Sequence, residues 1–219
     1  MSIDELRGRA LRLAGRTLAQ VAEERRLAVP ENLRRSKGWV GQLLEEALGA
    51  TAASRAEPDF PHLGVELKTI PVSPMGVPKE STYVCVAPLD APAEPTWQGS
   101  WVRRKLSCVL WMPIIDPGGP LGQRLIGGPV LWRPSEEEAA TLKADWELLS
   151  GLIAQGDFDR INARLGKALQ LRPKAANAKE MAWVLGEEGE WVQTGPLGYY
   201  LRQRFTRALL ARHLALPGS

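Results

Sequence analysis

A mixed α/β fold of the α+β kind, with a central mixed sheet flanked by helices, follows from three observations on this chain. Apolar residues recur at helical spacing up to Gly49, the period switches to two from Val65, and a capped helix opens at Ser135 before strand-like and helical pieces mix to the C-terminus. Helices first, then sheet, then mixed elements is a segregated order, unlike the regular strand–helix alternation of a doubly wound fold.

Residues 4–26 read as two short helices, with Thr17 placed to cap the second. The basic segment PENLRRSKG leads to a third, GWVGQLLEEALGA, in which Trp39, Val40, Leu43, Leu44, Ala47 and Leu48 form one stripe and Gly49 stops the helix. Glu45 and Glu46 fall off that stripe, and periodicity does not separate them. Short β-type runs follow at VELKTI, TYVCVA, CVLWMP and GPVLW, divided by Pro- and Gly-rich turns such as PVSPMGVPKE and DPGGPLG. RPSEEEAATLKADWELLSGLIAQG opens with a capping box of Ser135 and Glu138 and then shows Leu142, Trp146, Leu149 and Ile153 on one face. Beyond it stand a strand-like ALQLRPK, a helix after Asn177, β-type EWVQT and GYYLRQ, and a terminal helix from about Thr206.

Bulk properties exclude several classes. Apolar residues at 44% and charged residues at 24% are those of a globular protein, not a disordered one. A balance of 28 basic to 25 acidic residues, with a pI near 9.0, permits nucleic acid as a partner without requiring it. Arg, suited to planar bidentate contacts with phosphate or guanine, far outnumbers Lys. Cys85 and Cys108 both lie in apolar runs, which reads as small buried hydrophobes of a reducing compartment, with neither a disulfide framework nor a zinc site. No run approaches the roughly 18 apolar residues of a membrane span, so a cytoplasmic protein without membrane association is expected.

The chemistry-bearing stretch is PDFPHLGVELKT, residues 58–69. On a strand, residues two apart share a face with Cα atoms roughly 6.6–6.8 Å apart, so Glu66 and Lys68 point together while Val65, Leu67 and Thr69 point away. With Asp59 on the preceding loop, two carboxylates, a backbone carbonyl and waters make a hard oxygen site suited to Mg²⁺ beside an ammonium group. That set suits phosphodiester hydrolysis, in which a metal polarises the phosphoryl oxygen and activates water. An acid followed two residues later by Lys arises about once by chance in a chain of this composition, so the triplet alone proves nothing. His62, between the acids, has no Ser or Cys partner in view and reads as a solvated loop residue.

The wider text is more specific. VPENLRRSKGW, LLEEALGA, DFPHLGVELKTIPV, STYVCVAPL, VRRKLSCVLWMP, LQLRPKAANAK, GYYLRQRFT and ALLARH cover most of residues 29–213. In that order they resemble the MutH family of mismatch-repair endonucleases, within the PD-(D/E)xK restriction-endonuclease-like superfamily. The resemblance implies one domain over residues 1–219 with that fold, an N-terminal catalytic lobe and a C-terminal DNA-reading lobe around a DNA-binding cleft. It implies Asp59, Glu66 and the Leu67 carbonyl as metal ligands, Lys68 as the catalytic lysine, Glu45 completing the acidic site and Lys105 near the scissile phosphate. Lys37, Tyr83, Arg172, Lys174 and Tyr200 occupy DNA-contacting positions, with Tyr83 standing where the family carries Phe.

The implied activity is Mg²⁺-dependent nicking of the unmethylated strand of hemimethylated GATC sites by a monomer. MutL is the implied activator, with the terminal helix TRALLARHLAL as its candidate docking element. The chain has no Gly-x-x-x-x-Gly-Lys loop, so ATP hydrolysis is assigned to MutL. Two alternatives stand beside this: a restriction enzyme of the same superfamily that cuts both strands, and a catalytically silent DNA-binding module.

Overall fold

The computed structural model describes residues 1–31, 36, 38–52, 57–89, 96–162, 164–174, 181–185 and 190–214. The chain runs α1 (Ile3–Leu13), α2 (Leu18–Glu24), α3 (Trp39–Leu48), β1 (Glu66–Val72), β2 (Thr82–Val86), α4 (Trp101–Leu106), β3 (Val109–Ile115), β4 (Leu125–Ile126) and β5 (Val130–Trp132). It continues with α5 (Glu136–Ala154), β6 (Leu169–Pro173), β7 (Ala182–Leu185), β8 (Trp191–Thr194), β9 (Leu197–Leu201) and α6 (Gln203–Leu214). This is the mixed α/β class that the order of periodicities predicts. Two compact units interleave along the chain: Met1–Glu80, Ser107–Arg133 and Arg207–Ser219 form one, Ser81–Leu106 and Pro134–Thr206 the other.

In the first unit β1 and β3 pair in parallel, from Glu66 with Val109 to Val72 with Ile115, while β4 and β5 lie antiparallel to β3. Leu6, Leu18, Leu43 and Leu44 from α1–α3 share a buried core with Leu67, Leu110 and Met112 from the sheet. Residues on both faces of β3 are buried, which is why VLWMPII is apolar without alternation. The helices are specified locally. Ser2 with Glu5 and Thr17 with Gln20 form capping boxes, and Gly49 closes α3 in the left-handed conformation at φ +83°. Two guanidinium groups finish α3: Arg9 Nη1 donates to the Leu48 carbonyl at 3.2 Å and Arg25 Nη2 to that of Ala47 at 3.1 Å. They satisfy acceptors that a helix end leaves orphaned and oppose its dipole.

Asp116, just after β3, accepts from Lys79 Nζ at 2.9 Å and from the Gly118 N–H at 3.1 Å, and lies 3.1 Å from Arg124 Nη2. The Lys79 hydrogen bond, followed by that from Gly118 and the Arg124 charge, holds its carboxyl below the usual carboxylate range. A carboxyl depressed on folding stabilises above its unfolded pKa and loses that contribution as pH falls through the folded value. Acidification from about pH 5 downward should therefore erode wild-type stability through this group. In urea melts recorded against pH, Asp116→Asn should flatten that part of the curve, and parallel curves would count against the network.

In the second unit the sheet order is β2–β9–β6, all antiparallel, and β7 and β8 form a separate hairpin. Strand β2 carries a bulge between Tyr83 and Cys85. The bulge buries Val84 and Cys85 in succession and leaves Tyr83 and Val86 exposed, a pattern that strict alternation does not produce. α5 begins at the predicted capping box of Ser135 and Glu138 and packs against β6.

Some expectations change. Of the helix after Asn177, residues 177–180 lie outside the described set, and Ala182–Leu185 is a strand because its backbone pairs with Trp191–Thr194. The terminal helix starts at Gln203, and its Leu209 and Leu210 are fully buried, leaving Arg207, Ala208, Arg212 and His213 exposed. α4 and the two-residue β4 carried no periodic signal. Cys85 and Cys108 are buried free thiols, as their apolar contexts predict. Among the described residues no helix is long and apolar enough to cross a membrane.

Candidate active site and nucleic-acid interface

A tight loop brings the first acid back to the strand. Phe60 and Val65 exchange backbone hydrogen bonds at 2.9 and 3.3 Å across a short turn ending at Gly64, φ +63°. Asp59 is thereby returned to the start of β1, where its Oδ2 accepts from the Leu67 N–H at 2.7 Å. The Asp59 carbonyl in turn accepts from Thr51 and Ala52, just past α3. Because the Glu66 N–H donates to the carbonyl of Cys108, just before β3, the Leu67 N–H and carbonyl face the opposite edge, the side Asp59 occupies. Glu66 itself is only 2% exposed, and its Oε1 takes a hydrogen bond from Lys68 Nζ at 2.8 Å.

The register places Trp132 across from Glu66 by way of Val109, and Trp111 across from Lys68, with the two buried indoles 6.4 Å apart. Apolar neighbours on that face lower the local dielectric and strengthen the Glu66–Lys68 attraction. Glu45 separates from Glu46 by burial. It is half-buried and turned back toward Gly41, where a Cβ would sit 3.8 Å from its Oε1, whereas Glu46 is exposed. His62 is exposed.

Two carboxylates and a carbonyl on one strand end are hard oxygen donors of the kind Mg²⁺ takes. Among the described residues no three His, Cys, Asp or Glu side chains gather into a metal site. Two carboxylates and one carbonyl would leave the rest of a bound cation's coordination sphere to water, an arrangement that Mg²⁺ accepts.

The second unit carries the other candidates. On the outer face of its sheet Tyr83 pairs with Tyr200 across β2 and β9, their rings in an edge contact with centroids 5.3 Å apart. The Arg172 guanidinium stands 5.6 Å from the Tyr200 centroid and Lys174 Nζ 5.7 Å from that of Tyr83. Burial, with Cys85 and Tyr200 beside it, pushes the Tyr83 phenol up to about 12, so it remains a neutral donor at physiological pH. Lys105 is half-buried on α4 between the exposed Arg104 and the buried Leu106. Lys37 lies outside the described residues.

With this geometry in hand, relationships to other proteins become decisive. Residues 48–145 match the family model described as DNA mismatch repair enzyme MutH. The DNA mismatch repair protein MutH of Serratia proteamaculans strain 568 is 54% identical over 206 residues, 94% of this chain and 90% of that protein. MutH of Haemophilus influenzae strain PittGG is 50% identical over 95% of this chain and 94% of its own length. MutH of Escherichia coli O6:K15:H31 is 51% identical over 97% and 93%. The chain belongs to the MutH family.

The MutH family match runs through both units, since the pairwise alignments span nearly the whole chain. Two residues of this MutH family chain escaped the sequence reading. Asp145, on α5, is 5% exposed, and its carboxylate accepts from the backbone N–H groups of Lys167, Ala168 and Leu169 at 2.6–2.8 Å. It anchors the turn that launches β6, the strand carrying Arg172. Its signal was an acid three residues after Leu142 on an otherwise apolar face. The second is Gly198, a glycine inside a strand, which is itself a sign of close approach.

Proposed function

We propose that this DNA mismatch repair endonuclease of the MutH family nicks the unmethylated strand of hemimethylated DNA at GATC, on the five-prime side of G, with Mg²⁺ held by Asp59, Glu66 and the Leu67 carbonyl. What supports the reading is that the Asp59 carboxylate accepts from the Leu67 N–H at 2.7 Å while Glu66 and Lys68, the residues on either side of Leu67, pair at 2.8 Å, all at the start of β1. Bound there, a divalent cation supplies Lewis-acid polarisation of the phosphoryl oxygen and a water of lowered pKa. The chain's own groups do the rest. The Leu67 N–H aims the Asp59 carboxylate, Glu66 fixes the Lys68 ammonium, and Lys68 orients the attacking water or meets charge developing on the phosphate. Glu45 completes the proposed acidic site of the first unit, and the family likeness assigns Lys105 to the scissile phosphate.

One such site cleaves one strand, whereas symmetric double-strand cleavage normally needs two sites related by a dyad; the family likeness supports a nicking monomer that acts in the cytoplasm with MutL as activator. Lys37, Tyr83, Arg172, Lys174 and Tyr200 are assigned to the DNA. Adenine N6 lies in the major groove, where a methyl group adds bulk and removes a donor hydrogen, so a close contact senses it.

Plasmid carrying GATC sites in each methylation state, incubated with and without Mg²⁺, MutL and ATP, tests the proposal. Nicked circles from hemimethylated and unmethylated plasmid are expected. Linear product from hemimethylated plasmid, in which only one strand of each site is open to a nicking enzyme, would favour the restriction-enzyme alternative, and intact plasmid under every condition would leave only the silent binding module. Arg172→Ala should cost about 1–3 kcal/mol of discrimination between GATC and single-base variants, read by competition nicking.

A further inference from the structure

Gly198 has no side chain, and the space above its Cα is taken. A Cβ at this position would stand 3.0 Å from Tyr83 Cε2, 3.2 Å from Tyr200 Cε2 and 3.3 Å from the Cys85 carbonyl oxygen, all closer than the ordinary contact range of 3.4–4 Å. Its backbone is outside the left-handed region, so the glycine serves space and not conformation. Gly151 and Gly195 show the contrast, since a Cβ at either would meet nothing within 4 Å. A glycine inside a strand is a poor choice for strand stability, which makes a steric reason for it the more telling.

We propose that Gly198 is a positioning residue for DNA recognition: its bare Cα is the floor on which the Tyr83 and Tyr200 rings rest, and through them it sets where the Lys174 and Arg172 cations stand. The proposal rests on the reading of those four residues as DNA contacts. Gly198 lies opposite Arg172 on β6 and opposite Val86 on β2, at the centre of the outer face. Each cation sits over one ring, and the rings touch each other, so the two cations and two aromatics are mechanically one group. A cation held by a ring face keeps its N–H donors available for phosphate or base edges.

A methyl group at position 198 must displace something. The Cys85 carbonyl belongs to the paired strand and is held, whereas Tyr83, 37% exposed, is free to tilt outward. Lys174 is then displaced with the ring beneath it. The net charge of the chain is unchanged, so sequence-independent attraction to the phosphate backbone and its salt dependence should persist. What falls is the preference for the specific site.

The test measures binding of wild type, Gly198→Ala, Tyr83→Ala, the double variant and Arg172→Ala to duplexes with and without GATC, across a salt series. Gly198→Ala is expected to keep the non-specific affinity and salt slope and to lose about tenfold in the specific-to-non-specific ratio, the scale of one misplaced contact. Tyr83→Ala should show a similar loss, and adding Gly198→Ala to it should cost little more, because the colliding ring is gone; this arm stands even if the glycine variant folds poorly. A full second tenfold loss in the double variant would overturn the proposal, as would unaltered discrimination in Gly198→Ala when Arg172→Ala has lost it. If Arg172→Ala also discriminates normally, the DNA assignment of this face fails and takes the proposal with it. Ring carbon NMR supplies a DNA-free readout: Gly198→Ala should move the Tyr83 and Tyr200 signals and spare the fully buried Tyr199, and three unmoved tyrosines would refute the steric premise.

Discussion

Lys68→Ala is expected to lower single-turnover nicking by about 10²–10³-fold or more while DNA affinity changes less than about threefold. The separation follows from placement. Lys68 donates to Glu66 at 2.8 Å with its side chain 13% exposed, which suits a local group of the proposed reacting centre better than a long-range attractor of the polyanion. Its loss removes transition-state stabilisation, which appears in the rate of the chemical step and not in ground-state binding. Lys68→Arg should rescue little, because a planar guanidinium cannot take the position of a compact ammonium beside a carboxylate that is almost fully buried. Single-turnover cleavage set against fluorescence anisotropy reads both quantities on one preparation. Arg172→Ala provides the opposite profile, lost discrimination with the chemical step retained once DNA is bound. Equal losses of affinity in the two variants would reject this division of labour.

Asp145→Ala should produce the largest stability loss of any single substitution considered, about 3–5 kcal/mol. The carboxylate, buried in the second unit, collects three consecutive backbone N–H groups, Lys167 to Leu169, at the entry to β6. Truncation strands the buried Ala168 and Leu169 donors away from water, each at a desolvation cost of about 1–3 kcal/mol, and removes the part-buried bond from Lys167 as well. The turn has no slack to find other partners. A Cβ at Gly166, φ +81°, would fall against the Leu169 carbonyl, and Arg204 Nε already donates to the Lys167 carbonyl at 3.2 Å. Asp145→Asn should cost less, because its remaining oxygen can still accept from the three N–H groups that meet Oδ2. Urea midpoints for the three proteins check this ordering. An alanine variant as stable as wild type would show that the turn holds itself.

Where the sequence was legible, the determining contacts lie within a few residues of one another. Thr17 and Ser135 start helices because their hydroxyls reach the N–H three positions on, and Gly49 stops one because it takes a positive φ at no steric cost. The pairing of Glu66 with Lys68 was legible for the same reason, since strand geometry puts alternate residues on one face. The strand at Ala182–Leu185 was not legible because its partner residues, six to twelve positions on, decide between helix and strand. The bulge in β2 has no signature in TYVCV, as it is a property of the register with β9.

By itself, then, the chain's order of residues determined the fold class, the helix limits at Thr17, Gly49 and Ser135 and, through the family likeness, which acids and which lysine to propose for the site, because all of these are written in short-range patterns or in matched text. Tertiary structure alone decided that Asp59 returns to the Leu67 N–H, that Glu45 is half-buried while Glu46 is exposed, that Asp145 holds a turn more than twenty positions away, and that Gly198 underlies two tyrosines from different strands. Those relations depend on how distant segments come into register on a sheet, and no local periodicity encodes that distance.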